Sequence, residues 1–151
     1  MVADFPGIEN AMQMRYRCLA ASQINYILGD TGRSFVVGVG ENYPKAPHTR
    51  DGFCAIDMEK GDCTYDRWSQ KTINPQVCVG AMVAGPTLTD SYEDTRENYR
   101  STEIAIDVQA GFVSVLTAAL TMPAEFWHNG SLTELEAYCD VVGYKHYNWD
   151  S

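Results

Sequence analysis

The chain has 151 residues, enough for one ordinary domain, and its 45% hydrophobic and 21% charged residues are those of a globular rather than a disordered protein. Eleven Lys and Arg against twenty Asp and Glu give a net charge of -9, which argues against nucleic acid and against an anionic membrane surface as partners. A neutral ligand, such as an uncharged polysaccharide, is compatible with that balance.

Met1–Pro6 has neither the basic nor the apolar region of a signal peptide, and no apolar run is long enough to span a membrane. Glu9 to Leu28 has few breakers and apolar residues at Met12, Tyr16, Leu19, Ile24 and Ile27, which predicts a helix ending at the Gly29-Asp30-Thr31-Gly32 turn. Ser34 to Val39 reads as a strand or as an extended lead into a loop. Glu41 to Ile73 is long, polar and punctuated by prolines and glycines; a loop of that length is functional or disordered. Asn74-Pro75 predicts a helix start, with a buried helix running through Val83 to the Gly85-Pro86 stop. Thr87 to Asn98 is a polar loop. Ser101 or Thr102 is expected to cap a last long helix, Glu103 through Ala119, buried on most sides and ended by Pro123. The tail has a short amphipathic stretch at Leu132–Val142. Helices that are apolar all round need neighbours on both sides, as in a helical barrel or large bundle.

Five cysteines show no C-x-x-C pair, so a zinc or thioredoxin-type site is not expected. Cys54 and Cys63 are equally well read as a disulfide closing a loop or as two thiols; Cys18 and Cys78 read as small core residues. Asn129-Gly130-Ser131 is a glycosylation sequon, used or unused.

Two runs can carry chemistry. In Ser34 to Arg50, an apolar stretch and two prolines deliver His48-Thr49-Arg50; residues two apart in extended chain face one way, so imidazole and guanidinium would share a side. Taken alone, a loop histidine and a surface arginine are the plainer reading. In Asp90 to Glu103, carboxylates and tyrosines lead onto the last helix. A helix dipole beside Glu103 would favour its charged form and an apolar wall its neutral form, and the sequence leaves both open. Alone, this run reads as a solvated acidic loop.

Together the runs resemble the two signature motifs of glycoside hydrolase family 9, cellulases built on an (α/α)6 barrel. The first matches at Gly40, Asn42, Pro47, His48 and Arg50, the second at Tyr92, Asp94, Tyr99, Glu103, Ala105 and Ala110, within a similarity running from about Cys18 to Met122. The resemblance implies inverting hydrolysis of β-1,4-glucosidic bonds without a cofactor or metal. Glu103 would be the general acid, Asp94 and His48 would belong to the catalytic centre, and Arg50, Tyr92 and Tyr99 would contact the glucan. It also implies an extracellular setting. The family's base lies in an Asp-x-Gly-Asp motif, and no Asp-x-x-Asp occurs in this chain. Asp107, one turn beyond Glu103, is not assigned that role. Departures from the pattern are Thr49, Asp51-Gly52-Phe53, Val108 and Gln109.

Twelve helices of about 11–12 residues with loops of about 4–6 need roughly 200 residues. The expectation is therefore an all-α chain forming part of an (α/α)6 barrel, too short to close it. Residues 1–122 would be the C-terminal part of the catalytic domain and 123–151 an extension, with the missing N-terminal part of the domain as partner. A non-catalytic sugar-binding or interaction remnant is the alternative.

Overall fold

The computed structural model describes residues 10–54, 63–70 and 72–120, the side chains of 10–14 and 17 excepted. The expected sequon, tail helix and boundary at residues 122/123 lie outside them. Helices are α1 (Asn10–Leu28), the single turns α2 (Arg50–Phe53), α3 (Tyr65–Trp68) and α4 (Tyr99–Thr102), and α5 (Ile106–Leu120). Among the described residues the only β-pairings are isolated bridges, Val36 with Met82 and His48 with Glu103. No described helix is long and apolar enough to cross a membrane.

The chain divides into two compact units, residues 1–25 with 113–151, and residues 26–112. In the first, α1 buries Cys18, Ala21, Ile24 and Asn25. Of the apolar residues whose spacing predicts the helix, Ile24 is buried, whereas Tyr16 and Leu19 are exposed. Cys18 is disulfide-bonded rather than a simple core thiol. On α5, Ala119 is buried but Val113, Val115 and Leu120 are exposed, which corrects the expectation of a helix buried on most sides.

The second unit is built around Phe35, Val37 and Val83, with Tyr26, Tyr43, Ala81, Tyr92 and Ile104 packed against them. Helix α1 stops where expected: Gly29, at φ +119°, donates its N–H to the Tyr26 carbonyl. Asn42 then closes the following loop by donating to the Gly32 carbonyl, and Ser34 N–H bonds the Asn42 carbonyl.

The helix expected from Asn74 to Val83 does not form. Asn74 is buried, and its side-chain oxygen, which an N-cap would offer to the next turn, accepts from Arg96 at 2.6 Å instead. Its amide donates to the Pro47 carbonyl. Beyond it, β-branched Val77, Val79 and Val83 and a Gly80 at φ +85° favour extended chain over helix. Residues 80–83 pair with 35–37 through Gly80 N–H to Val37 O, Val37 N–H to Ala81 O and Val83 N–H to Phe35 O. Phe35-Val36-Val37 is thus the extended piece read from sequence, with a single bridge at Val36.

Candidate active site

The second bridge builds the site. His48 N–H donates to the Thr102 carbonyl at 2.9 Å, setting His48 and Glu103 side by side on parallel segments. Glu103 N–H bonds the Tyr99 carbonyl, and its own carbonyl accepts from Ala84 N–H. Its backbone is therefore held on both sides while its side chain is exposed. Glu103 caps the C-terminal end of α4 with φ −66° and ψ 138°, and α5 begins three residues later at Ile106. The expectation that Glu103 opens a buried helix is corrected on both counts. The reason lies in Thr102, the expected cap of the last helix. Fully buried, it donates its hydroxyl to the Thr95 and Asn98 carbonyls and so belongs to the end of α4. Asp107 sits in the first turn of α5, so it is not one helical turn after Glu103.

His48 is held tightly. Its Nδ1 lies 2.6 Å from the Arg96 carbonyl. A carbonyl only accepts, so Nδ1 carries the proton and, in the neutral ring, Nε2 is an acceptor. Trp68 and Tyr99 meet the imidazole edge-on, at 5.9 and 6.1 Å between centroids. Tyr99 is 51% exposed. Arg50 is exposed and opens α2, so the His48–Arg50 run is extended only through Thr49, not continuously as read from the sequence.

Asp94 turns both carboxylate oxygens on backbone: Lys45 N–H at 2.7 Å and Ala46 N–H at 3.1 Å. It ties down the chain that leads into His48 and acts here as a positioning group. Tyr92 belongs to the core: Phe35 meets its ring edge-on at 5.5 Å and the Arg33 guanidinium covers it at 5.2 Å. Its buried hydroxyl has no hydrogen-bond partner among the described residues. Burial first, then the Asp94 charge, pushes its pKa above the usual phenol value, with Arg33 opposing. A ring so enclosed is not free to stack on a sugar. Because an unpartnered buried hydroxyl costs about 1–3 kcal/mol, Tyr92→Phe should leave stability unchanged or raise it. Urea denaturation checks this, and a loss above about 1 kcal/mol would mean the hydroxyl is bonded in solution.

Arg96 was not anticipated as part of the site. Arg96 is buried and its guanidinium donates to the Trp68 carbonyl through Nε (3.0 Å), to the Thr72 carbonyl and Asn74 Oδ1 through Nη1, and to the Gln70 carbonyl through Nη2. Burial, then repulsion from Arg67, lowers its pKa. Its side chain fixes the 68–74 loop while its own carbonyl fixes His48. The sequence offers only a lone cation among Glu93, Asp94 and Glu97, a pattern that reads as a solvated ion pair. Trp68 and Tyr65 on α3 were also missed; they stack on each other at 5.4 Å and 27°. Gln109, a departure from the family pattern, donates its amide to the Met82 carbonyl at 2.6 Å. The longer side chain thus serves packing of α5 within this unit. Cys54 and Cys63 form a disulfide, and Cys78 is free. Among the described residues no cluster of His, Cys, Asp and Glu could hold a metal ion.

Comparison with known proteins gives a consistent picture. Residues 3–116 match the model of glycosyl hydrolase family 9. Endoglucanase 14 of Arabidopsis thaliana is 43% identical over 108 residues, covering 66% of this chain and 22% of that protein. Endoglucanase A of Bacillus pumilus is 38% identical over 104 residues, 65% of this chain and 14% of its own length. Among solved structures, the endoglucanase of the termite Nasutitermes takasagoensis superposes with a TM-score of 0.61 at 36% identity, covering 72% of this chain and 28% of that one. Endoglucanase CelQ of Clostridium thermocellum, complexed with cellobiose and cellotriose, gives 0.59 at 38%, covering 72% and 17%. The chain therefore spans less than a third of the length of these relatives. These neighbours are (α/α)6 barrels, and the helical chain corresponds to part of one, as expected from the sequence.

Proposed function

The chain belongs to glycosyl hydrolase family 9, and from that premise we propose that it carries one part of an endo-β-1,4-glucanase site in which Glu103 is the general acid. The observation that supports this most is the bridge joining His48 to Glu103, which sets an exposed carboxyl with a fixed backbone beside an immobilised imidazole. The relatives' names as endoglucanases, and the cello-oligosaccharides in the CelQ structure, support a β-1,4-glucan as substrate.

In this reading a glucan lies across His48, Tyr99 and Glu103. The protonated Glu103 carboxyl donates to the glycosidic oxygen as the bond to the anomeric carbon breaks. A second carboxylate, about 6.5–9.5 Å from the acid, takes a proton from the water that attacks the opposite face, inverting the anomeric centre. His48 Nε2 accepts from a sugar hydroxyl, Tyr99 offers a ring for the sugar's C–H face, and exposed Arg50 donates to hydroxyls. Asp94, with both oxygens on backbone N–H groups, is the positioning residue and a poor candidate for the base. The base is an Asp of the domain's N-terminal part, outside these 151 residues, and the whole enzyme works outside the cell.

The test is a hybrid in which residues 10–120 replace the matching segment of the termite endoglucanase. The folded hybrid should release reducing ends from carboxymethylcellulose, and the 151-residue chain alone should not. Robust hydrolysis by the chain alone would place a base within it and overturn the division of the site. A folded hybrid that binds cello-oligosaccharides without cleaving them would favour a sugar-binding remnant instead.

A further inference from the structure

Asn74 is buried, at 5% exposure, and its polar groups reach two segments that both hold His48. Toward the first, its N–H donates to the Lys45 carbonyl at 2.8 Å and its Nδ2 to the Pro47 carbonyl at 3.0 Å. Toward the second, its Oδ1 accepts from Arg96 Nη1 at 2.6 Å. The Arg96 carbonyl in turn accepts from His48 Nδ1. These bonds close a ring through Pro47, His48, Arg96 and Asn74. The backbone of His48 is fixed separately, by the Thr102 carbonyl, so the ring of bonds bears on the imidazole.

Gly52 is fitted to this arrangement. It lies in α2, where helical backbone does not require glycine. A Cβ at Gly52 would collide with Asn74 Nδ2 and approach Thr49 Cγ2 to 2.8 Å, so the missing side chain makes room for the amide. The Gly52 carbonyl also accepts from Gln76 N–H, which holds the turn against the chain that carries Asn74. Support of the 68–74 loop does not account for the Asn74 side chain, because the Arg96 guanidinium already serves the Trp68, Gln70 and Thr72 carbonyls. What Asn74 adds is a tie from that guanidinium to the residue before His48.

We infer that Asn74 is a positioning residue for His48, clamping Pro47 to Arg96 so that the imidazole keeps its proton on Nδ1 and offers Nε2 to the glucan as an acceptor. The glucan contact rests on the glucanase reading above; the clamp on the ring does not. The tautomer of a histidine is set by the hydrogen bond that its other nitrogen makes. When the Arg96 carbonyl and His48 are free to part, the proton moves to Nε2 in a share of the molecules. Nε2 is then a donor and no longer accepts from a sugar hydroxyl.

The test reads the tautomer directly, from the ring-nitrogen NMR shifts of the 151-residue chain at about pH 9, above the ordinary histidine range. His48 is one of three histidines, and its signals are assigned through His48→Gln. The parent should show one neutral form protonated on Nδ1. Asn74→Ala and Asn74→Asp should both show a mixture with the Nε2-protonated form. Asn74→Asp keeps the side chain's size and an oxygen for Arg96, so it keeps the fold and decides the matter where Asn74→Ala unfolds. Its carboxylate, ionised beside the guanidinium, cannot donate to Pro47. In the hybrid enzyme, Asn74→Asp should raise KM for cellotetraose about 3- to 10-fold and change kcat less than about 2-fold, the size of one lost hydrogen bond to substrate. A lower urea midpoint with the parent's tautomer and KM would assign Asn74 to the fold alone and overturn the inference, leaving the glucanase reading standing. Failure of the parent hybrid to cleave glucan would overturn the glucanase reading, while a tautomer shift in the chain would still support the clamp.

Discussion

Glu103→Gln in the hybrid enzyme should lower kcat on β-1,4-glucan by roughly 10²–10⁴-fold with little change in KM. Gln keeps the size and hydrogen-bonding reach of the side chain and loses only the proton to be donated. The backbone at residue 103 is fixed by Tyr99 and Ala84 whichever side chain it carries, so the loss reports chemistry rather than a shifted loop. A drop below about tenfold would mean that another group donates the proton.

Arg96→Met should be the most damaging change to the fold of this unit, at about 3 kcal/mol or more, read as a lower urea midpoint. The substitution preserves an apolar stem of similar length and removes the donors for three carbonyls, of Trp68, Gln70 and Thr72, and for Asn74 Oδ1. Stranded acceptors in a buried place carry the full desolvation cost. Arg96→Lys should recover little, since one ammonium cannot reach groups that a planar fork serves in several directions. A loss under about 1 kcal/mol would show that water replaces the guanidinium and that the 68–74 loop stands by itself.

The parts of this molecule that depend on local pattern were readable from the sequence. Helix α1 and its glycine stop follow from spacing and turn chemistry, and α5 follows from its run of small and apolar residues, though its start was placed three residues early. That shift came from Thr102: a threonine before an apolar run reads as a cap, whereas here its hydroxyl is taken by Thr95 and Asn98. Asn74-Pro75 misled in the same way, because the cap oxygen was claimed by Arg96, 22 residues along the chain. In both cases a polar side chain suited to cap a following helix bonds elsewhere, Thr102 to carbonyls four and seven residues before it and Asn74 to distant Arg96, and periodicity carries no information about that choice. The pairing of 80–83 with 35–37 is likewise a contact between distant segments that each read as apolar alone.

At the candidate site, the bridge brings His48 and Glu103, one from each motif, together from 55 positions apart in the numbering. Roles within the motifs were harder to read. Tyr92 and Tyr99 are equivalent by residue type, yet one is clasped by Phe35 and Arg33 and the other lies beside His48 at the surface. Asp94 and Glu103 are both carboxylates of one acidic run, yet the first is engaged with backbone N–H groups and the second is open. Only packing distinguishes them.

The central claim is that Glu103 supplies the proton to the leaving sugar. It is tested most directly by comparing two substrates of the hybrid enzyme, cellotetraose and dinitrophenyl cellobioside, with Glu103 and with Glu103→Gln. The dinitrophenolate leaves without protonation, so an enzyme missing only its acid still cleaves it. The account predicts that the substitution costs roughly 10²–10⁴-fold on cellotetraose and less than about tenfold on the aryl glycoside. Equal losses on both substrates would contradict it, and would assign Glu103 to binding or to support of the fold.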